Sequence, residues 1–217
     1  RFKERLLEPT VWITLAVSLA AYLLGSLSFA IIVSRVMGLN DPRSYGSHNP
    51  GATNVLRSGN KQAAVLTLLL DAAKGWLPVF AVQQWGGEYD MGAGTAALAG
   101  LGAFVGHLFP VFFRFQGGKG VATAAGVLFG VNALLGLAVA LSWLMVALFF
   151  RYSSLAALVA AVFAPAYYAF GGDVAWPYEQ PLLGALIVMG LLLVWRHLDN
   201  INRLVAGTES KLGAKKK

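Results

Sequence analysis

No charged side chain occurs between Val121 and Phe150, and this block constrains the chain more than any other feature. As one helix it would be about 45 Å long at 1.5 Å per residue, against roughly 30 Å for the hydrocarbon core of a bilayer. It reads either as one tilted helix or as two short helices turning near Val131 and Asn132. Further apolar runs cover Val11 to Gly38, Ala63 to Trp85, Met91 to Phe113, Leu155 to Phe170 and Leu182 to Trp195. The 217 residues are 57% hydrophobic and only 12% charged, whereas a soluble domain carries about 25% charged residues. The expectation is an all-α polytopic membrane protein, a single domain over residues 1–217 with no linker or internal repeat. The first run is too long for a signal-peptide core and is expected to be retained. The chain begins at Arg1 rather than Met, which fits a trimmed extreme N-terminus.

Charge decides between the two forms of the long block. If it is two helices, Arg35, Arg43, Arg57, Lys61, Arg114, Lys119, Arg151, Arg196, Arg203, Lys211 and Lys215 to Lys217 share one side, 13 of the 17 basic residues. The opposite loops then hold Glu88, Asp90, Asp173 and Glu179 and no Lys or Arg. If it is one helix, Arg151 and the lysine-rich tail cross to the other side. Cytoplasmic loops concentrate Lys and Arg, so the reading is seven transmembrane helices, two of them short, with the N-terminus outside and the C-terminus cytoplasmic. Arg1, Lys3 and Arg5, partly offset by Glu4 and Glu8, are the exception. Gly92, Ala96 and Gly100, and Gly102 with Gly106, recur every four residues, a spacing that lets helix backbones approach closely.

The net charge of +7 fits basic loops facing anionic lipid. No basic stripe carries interleaved aromatics, which disfavours nucleic acid as a partner. Cysteine is absent, which excludes disulfides, thiolate nucleophiles and thiolate metal sites. Acidic residues on the basic face are few and scattered, so no metal and no cofactor is expected.

Three polar segments on the basic side carry candidate chemistry. The first runs from Gly46 to Arg57. Its glycines, Gly51 among them, can turn backbone N–H groups inward, and Ser47, Asn49, Thr53 and Asn54 add donors. Arg57 supplies a planar fork suited to phosphate, and a helix start follows. An ordinary capped turn would look much the same. The second, Phe115 to Thr123, sets Lys119 among Gly117, Gly118 and Gly120. Gly120 stands where a Walker A loop needs Ser or Thr, which disfavours nucleotide hydrolysis. Two such loops on one face favour an anion site over a pair of flexible turns. The third, Arg196 to Arg203, places Arg196, Asn200 and Arg203 on one face at helical spacing, with His197 one position away. Arg196 and Arg203 read equally well as membrane-edge anchors.

Polar groups inside the spans are costly and need a reason. Asp71 and Lys74, three residues apart, are expected to pair in a structural role, and Pro78 to kink their helix. Ser26 and Ser28 are expected to bond a neighbouring backbone, and His107 to be a satisfied packing residue. Ser153 and Ser154 face the basic side as weaker candidates.

Taken together, six segments resemble the bacterial acyl-phosphate:glycerol-3-phosphate acyltransferase family. They are Gly25–Phe29, Gly46–Arg57, Asp71–Gly75, Gly106–Pro110, Gly117–Thr123 and Arg196–Leu204 with Gly207 and Glu209, in order along nearly the whole chain. The resemblance implies seven helices in the bacterial inner membrane. It implies transfer of an acyl group from a fatty acyl phosphate to the 1-hydroxyl of glycerol 3-phosphate, giving lysophosphatidic acid and phosphate. By the same match the Ser47-to-Arg57 loop and Lys119 hold phosphate, Ser26 and Arg35 belong to a first activity motif, His197 and Asn200 to a third, and Glu209 supports structural integrity. Three positions depart from the family: His48 and Pro50 replace a common Gly and a small aliphatic residue, which should stiffen that loop, and Ala30 replaces a Gly.

Developing charge on the reacting carbonyl would fall to Lys119, Arg57 and loop amides. The His-x4-Asp pattern of other glycerolipid acyltransferases is missing, since Thr53, Phe112 and Asn202 stand five after His48, His107 and His197. The base is then either His197 or an oxygen of the acyl phosphate itself, the second being favoured. The rival reading is a transporter for a phosphorylated metabolite, which would place its site near the midplane on broken helices. A third, a scaffold, leaves both glycine loops without a purpose.

Overall fold

In the computed structural model, residues 9–213 are described. Arg1 to Glu8 and the tail lysines from Lys215 lie outside them, so the charge exceptions at both ends have no structural account. The described residues form ten α-helices: α1 Pro9–Gly25, α2 Phe29–Val36, α3 Ala52–Leu56, α4 Lys61–Trp85, α5 Ala93–Leu108, α6 Val121–Val131, α7 Ala133–Phe150, α8 Ser153–Phe170, α9 Gln180–Arg196 and α10 Leu198–Val205. Short 3-10 turns extend α4 at Gly86–Tyr89 and follow α5 at Val111–Phe113. No strand occurs among the described residues.

Four segments are long and apolar enough to cross a membrane: Lys61–Tyr89, Ala93–Phe113, Ala133–Phe150 and Ser153–Phe170. Two bent pairs qualify when joined, α1 with α2 at 42° and α9 with α10 at 57°. Many large apolar side chains stand on the outside, where a soluble protein would place polar ones. The interior combines many alanines, Ala21, Ala96, Ala97, Ala99, Ala103 and Ala157 among them, with larger side chains such as Phe104 and Tyr168, while Leu141, Leu148, Phe149 and Leu191 stand 49 to 80% exposed. A contiguous apolar exterior around a core rich in small residues is the packing of a bundle solvated by lipid.

The uncharged block breaks where the two-helix reading places it. Asn132 leaves the helical conformation, and its side-chain oxygen accepts from the N–H groups of Leu134 and Leu135, capping α7. The chain doubles back so tightly that a Cβ on Gly136 would lie 2.9 Å from the Phe129 Cα.

Close backbone approaches fix the inner helices. The would-be Cβ of Gly102 meets the Ser18 carbonyl at 2.7 Å, and that of Gly106 meets the Tyr22 carbonyl, locking α1 to α5. Gly75 abuts the Thr123 carbonyl and Gly126 the Ala72 carbonyl, locking α4 to α6. Gly92 has open space instead, because it precedes α5 and only caps it. α4 runs on as one helix through Pro78. The first apolar run is not one helix. It breaks at Ser26–Ser28, where Ser26 Oγ donates to the Tyr22 carbonyl at 2.9 Å and so closes α1.

Asp71 and Lys74 form an ion pair at 2.8 Å with side chains 2% and 1% exposed. Lys74 also donates to the Leu27 carbonyl at 2.7 Å, in the break after α1. Around this pair lie the ends of α1 and α5 and the start of α6, whereas α4 continues ten residues further back to Lys61. At helical rise that is about 15 Å. A second, smaller core of Ala30, Val33, Val55, Ala63 and Ala64 joins α2 and α3 to this overhang of α4.

Candidate active site

The first loop is organised by Asn54, which is 1% exposed. Its side-chain nitrogen donates to the carbonyls of Pro42 at 2.6 Å and Tyr45 at 3.1 Å, and its oxygen accepts from the Ser47 N–H at 3.0 Å. Arg57 reaches the same oxygen at 3.4 Å. Asn54 thus spends its polar atoms shaping the turn, whereas the sequence reading made it a ligand donor. The side chains of Ser47, Asn49 and Thr53 make no hydrogen bond among the described residues and remain available. His48 adopts φ 54°, the left-handed region that glycine favours. Its Nδ1 donates to the Arg43 carbonyl at 2.9 Å, compensating a conformation that a Gly reaches freely. Pro50 is buried.

The second loop folds back under α5. The Gly118 N–H donates to the His107 carbonyl at 3.1 Å, and Arg196 donates to the carbonyls of Gly117 at 2.9 Å and Gly118 at 3.2 Å. Arg196 is therefore a brace for the glycine loop. Gly120 has φ 83° and packs against the Phe104 ring, so both its backbone angle and its lack of a side chain are required. The two loops touch, since a Cβ on Gly118 would lie 3.0 Å from the Pro50 carbonyl.

The third segment departs from the sequence reading. His197 interrupts the helix, and α10 leaves α9 at 57°. Arg196 therefore does not share a helix face with Asn200 and Arg203. His197 Nδ1 donates to the Leu193 carbonyl at 2.8 Å, so Nδ1 carries the hydrogen in the neutral ring. Burial pushes the His197 imidazole down to about 4, with the nearby Lys119 and Arg196 acting in the same direction. The ring is neutral at pH 7 and only weakly basic.

Lys119 donates to Asn200 Oδ1. Asn200 Nδ2 donates to Glu209 Oε1 at 2.6 Å, Ser154 donates to the same oxygen at 2.6 Å, and Arg203 donates to Oε2 at 2.7 Å. Burial raises the Glu209 carboxyl, but the bonds from Ser154, Arg203 and Asn200 outweigh it and hold the group below its ordinary value. Desolvation, with Arg203 and Arg196 nearby, lowers the Lys119 ammonium to about 8. The next residue, Ser210, accepts from Arg57 at 2.8 Å. The segment from Gly207 to Leu212 thereby straps the two basic loops together, and it is tied down again by the Leu212 N–H on the Arg151 carbonyl at 2.6 Å. Sequence spacing carries no trace of the Ser154–Glu209 and Arg57–Ser210 contacts, which join residues 55 and 153 positions apart.

Ser26 sits at the edge of this region with its hydroxyl committed to Tyr22 and, at 3.4 Å, to the Val111 N–H. Arg35 is exposed near the end of α2, without a hydrogen bond among the described residues. Among those residues, no group of three or more His, Asp or Glu could hold a metal.

An all-helical bundle with an apolar exterior, carrying two basic glycine-bearing loops that touch one another, defines an integral membrane protein with its charged loops gathered together. Comparison narrows the class. The family model described as glycerol-3-phosphate acyltransferase matches residues 15–207, and the chain belongs to that family. It is 62% identical over 216 residues to the glycerol-3-phosphate acyltransferase of Albidiferax ferrireducens, covering 99% of this chain and 96% of that one. It is 61% identical to that of Burkholderia pseudomallei strain 1710b, covering 94% and 97%. Two crystal structures of PlsY, an integral membrane glycerol 3-phosphate acyltransferase, share the fold. The glycerol 3-phosphate form is 40% identical with a TM-score of 0.84, covering 92% of this chain and 96% of that one. The lysophosphatidic acid form is 39% identical with a TM-score of 0.82, covering 92% and 95%.

Proposed function

We propose that this chain, as a single domain, moves a fatty acyl group from acyl phosphate to the 1-hydroxyl of sn-glycerol 3-phosphate, yielding lysophosphatidic acid and inorganic phosphate. The observation that carries this reading is the meeting of the Arg57 and Lys119 loops under the Glu209 strap. Both substrates carry a phosphate, and the two loops offer two cations and a set of free polar groups within one small region. Ser47, Asn49, Gly51, Thr53, Arg57, Gly117, Gly118, Lys119 and Gly120 form the anion site, and Arg35, exposed near the end of α2, is assigned to substrate binding on the family resemblance alone. Asn54, Ser26, Asp71, Lys74 and Glu209 hold its shape.

In the reaction, the 1-hydroxyl oxygen bonds to the acyl carbonyl carbon and the carbon–oxygen bond to phosphate breaks. Lys119 and Arg57 offset the charge that builds on the carbonyl oxygen and the departing phosphate. Holding both substrates side by side supplies the proximity gain. The hydroxyl proton passes to an oxygen of the acyl phosphate, leaving with it. Support comes from His197, whose Nδ1–H is spent on the Leu193 carbonyl and whose burial lowers its basicity, and from Asn200, whose amide is engaged by Lys119 and Glu209.

Seven spans with the C-terminus in the cytoplasm of a bacterial inner membrane fit the arrangement. The described basic residues of the strap, glycine loop and Arg57 loop meet at one end, while Gln83 and Val131 meet at the other. The decisive experiment mixes purified protein, acyl phosphate and glycerol 3-phosphate in detergent micelles. Phosphate release that requires both substrates is expected. Release without glycerol 3-phosphate, or movement of substrate only across sealed vesicles, would overturn the proposal in favour of hydrolysis or transport.

A further inference from the structure

Asp71, Lys74 and His107 are buried ionisable groups that the proposed chemistry leaves unused. His107 is 7% exposed, and its Nδ1 lies 3.6 Å from Asp71 Oδ1. The far edge of the ring, Nε2, abuts Gly118, so that a side chain at Gly118 would strike it. The His107 carbonyl accepts the Gly118 N–H. One cluster thus touches both interruptions of the inner helices: Lys74 holds the Leu27 carbonyl after α1, and His107 backs the glycine loop that carries Lys119.

We propose that His107, oriented by the Asp71–Lys74 pair, is a positioning residue that sets the Gly117–Gly120 loop and so aims Lys119 at a substrate phosphate. The inference rests on the phosphate-binding role assigned above to Lys119. An apolar side chain would fill the same volume without the desolvation that a buried charge cluster incurs, but it would leave the backing ring free to rotate. The His107 Nδ1 faces Asp71 at 3.6 Å without a hydrogen bond, an electrostatic preference that turns the opposite edge of the ring toward Gly118.

The test is steady-state kinetics and thermal unfolding of the purified full chain in micelles. His107→Ala is expected to raise one substrate's KM about tenfold, the size of one ordinary interaction, with kcat changed less than about threefold. His107→Gln, which restores bulk and an N–H toward Asp71, returns KM to within about threefold of the parent. Gly118→Ala drives a methyl into the ring and should reproduce the KM rise. Combined with His107→Ala, it should do no more harm than the worse single change, because the two act on one contact. Should His107→Ala fail to fold, the Gln variant and Gly118→Ala carry the test. Parental KM in both His107→Ala and Gly118→Ala would overturn the proposal. So would loss of kcat at unchanged KM, or a fall in melting temperature that His107→Gln shares. Lys119→Ala serves as the control. If it changes neither KM, the phosphate reading fails; if it raises KM while the His107 and Gly118 variants do not, only the positioning role fails.

Discussion

Lys119 is the residue whose environment does most to set the behaviour of the site. Its ammonium, lowered to about 8 by burial and neighbouring cations, is largely charged at pH 7 and loses its proton as pH rises through that value. The charged form is the one that binds anions. The kcat/KM profile, which reports the free enzyme, should therefore fall as pH climbs above about 8, and Lys119→Arg should push the descent upward. A profile flat to pH 10 would contradict the assignment. The sequence marks Lys119 and Arg57 as candidates because each is a cation beside glycines near a helix end, and the structure adds that their two loops touch at Gly118 and Pro50. Asn54 was misread as a ligand. Its real partners, the carbonyls of Pro42 and Tyr45, obey no spacing rule. His48 shows the converse: the family's glycine at that position marks a left-handed backbone, which the imidazole reaches with a bond to Arg43.

At the scale of elements, the charge count found the turn between α6 and α7, because placing Arg151 and Lys211 with the other cations requires the chain to return. The bend at His197 was hidden, since helical periodicity runs through Arg196, Asn200 and Arg203 without interruption. The Gly207–Leu212 strap was hidden too, apart from Glu209, which only family resemblance flagged. Its importance follows from the three donors gathered on one carboxylate. Glu209→Ala would leave Asn200 and Ser154, both buried, without an acceptor. It should cost about 1–3 kcal/mol for each orphaned group and loosen Lys119 by way of Asn200. A drop in melting temperature accompanied by loss of activity is expected. Ser210→Ala removes one exposed hydrogen bond, worth about 0.5–1.5 kcal/mol, and should alter activity far less. Equal effects from the two variants would show that the strap holds no residue in place.

For the molecule as a whole, the absence of cysteine makes orientation directly measurable, because an introduced thiol has no competitor. Lys61 and Asp90, both exposed, lie at opposite ends of the Lys61–Tyr89 segment and its turn. In intact cells, a membrane-impermeant maleimide should label Asp90→Cys and should reach Lys61→Cys only after the membrane is opened. The reverse pattern would invert the proposed topology. That topology gives the overhang of α4 a meaning. The glycine loop lies level with the Asp71–Lys74 pair, about 15 Å of helix from Lys61, so on this proposal the phosphates are received beside that overhang rather than at its tip. A fatty tail need not be drawn up into water to meet its partner, and each methylene left in oil spares about 0.8 kcal/mol. The small, soluble partner makes the descent, and the newly joined lipid is already among its own kind when the bond is made.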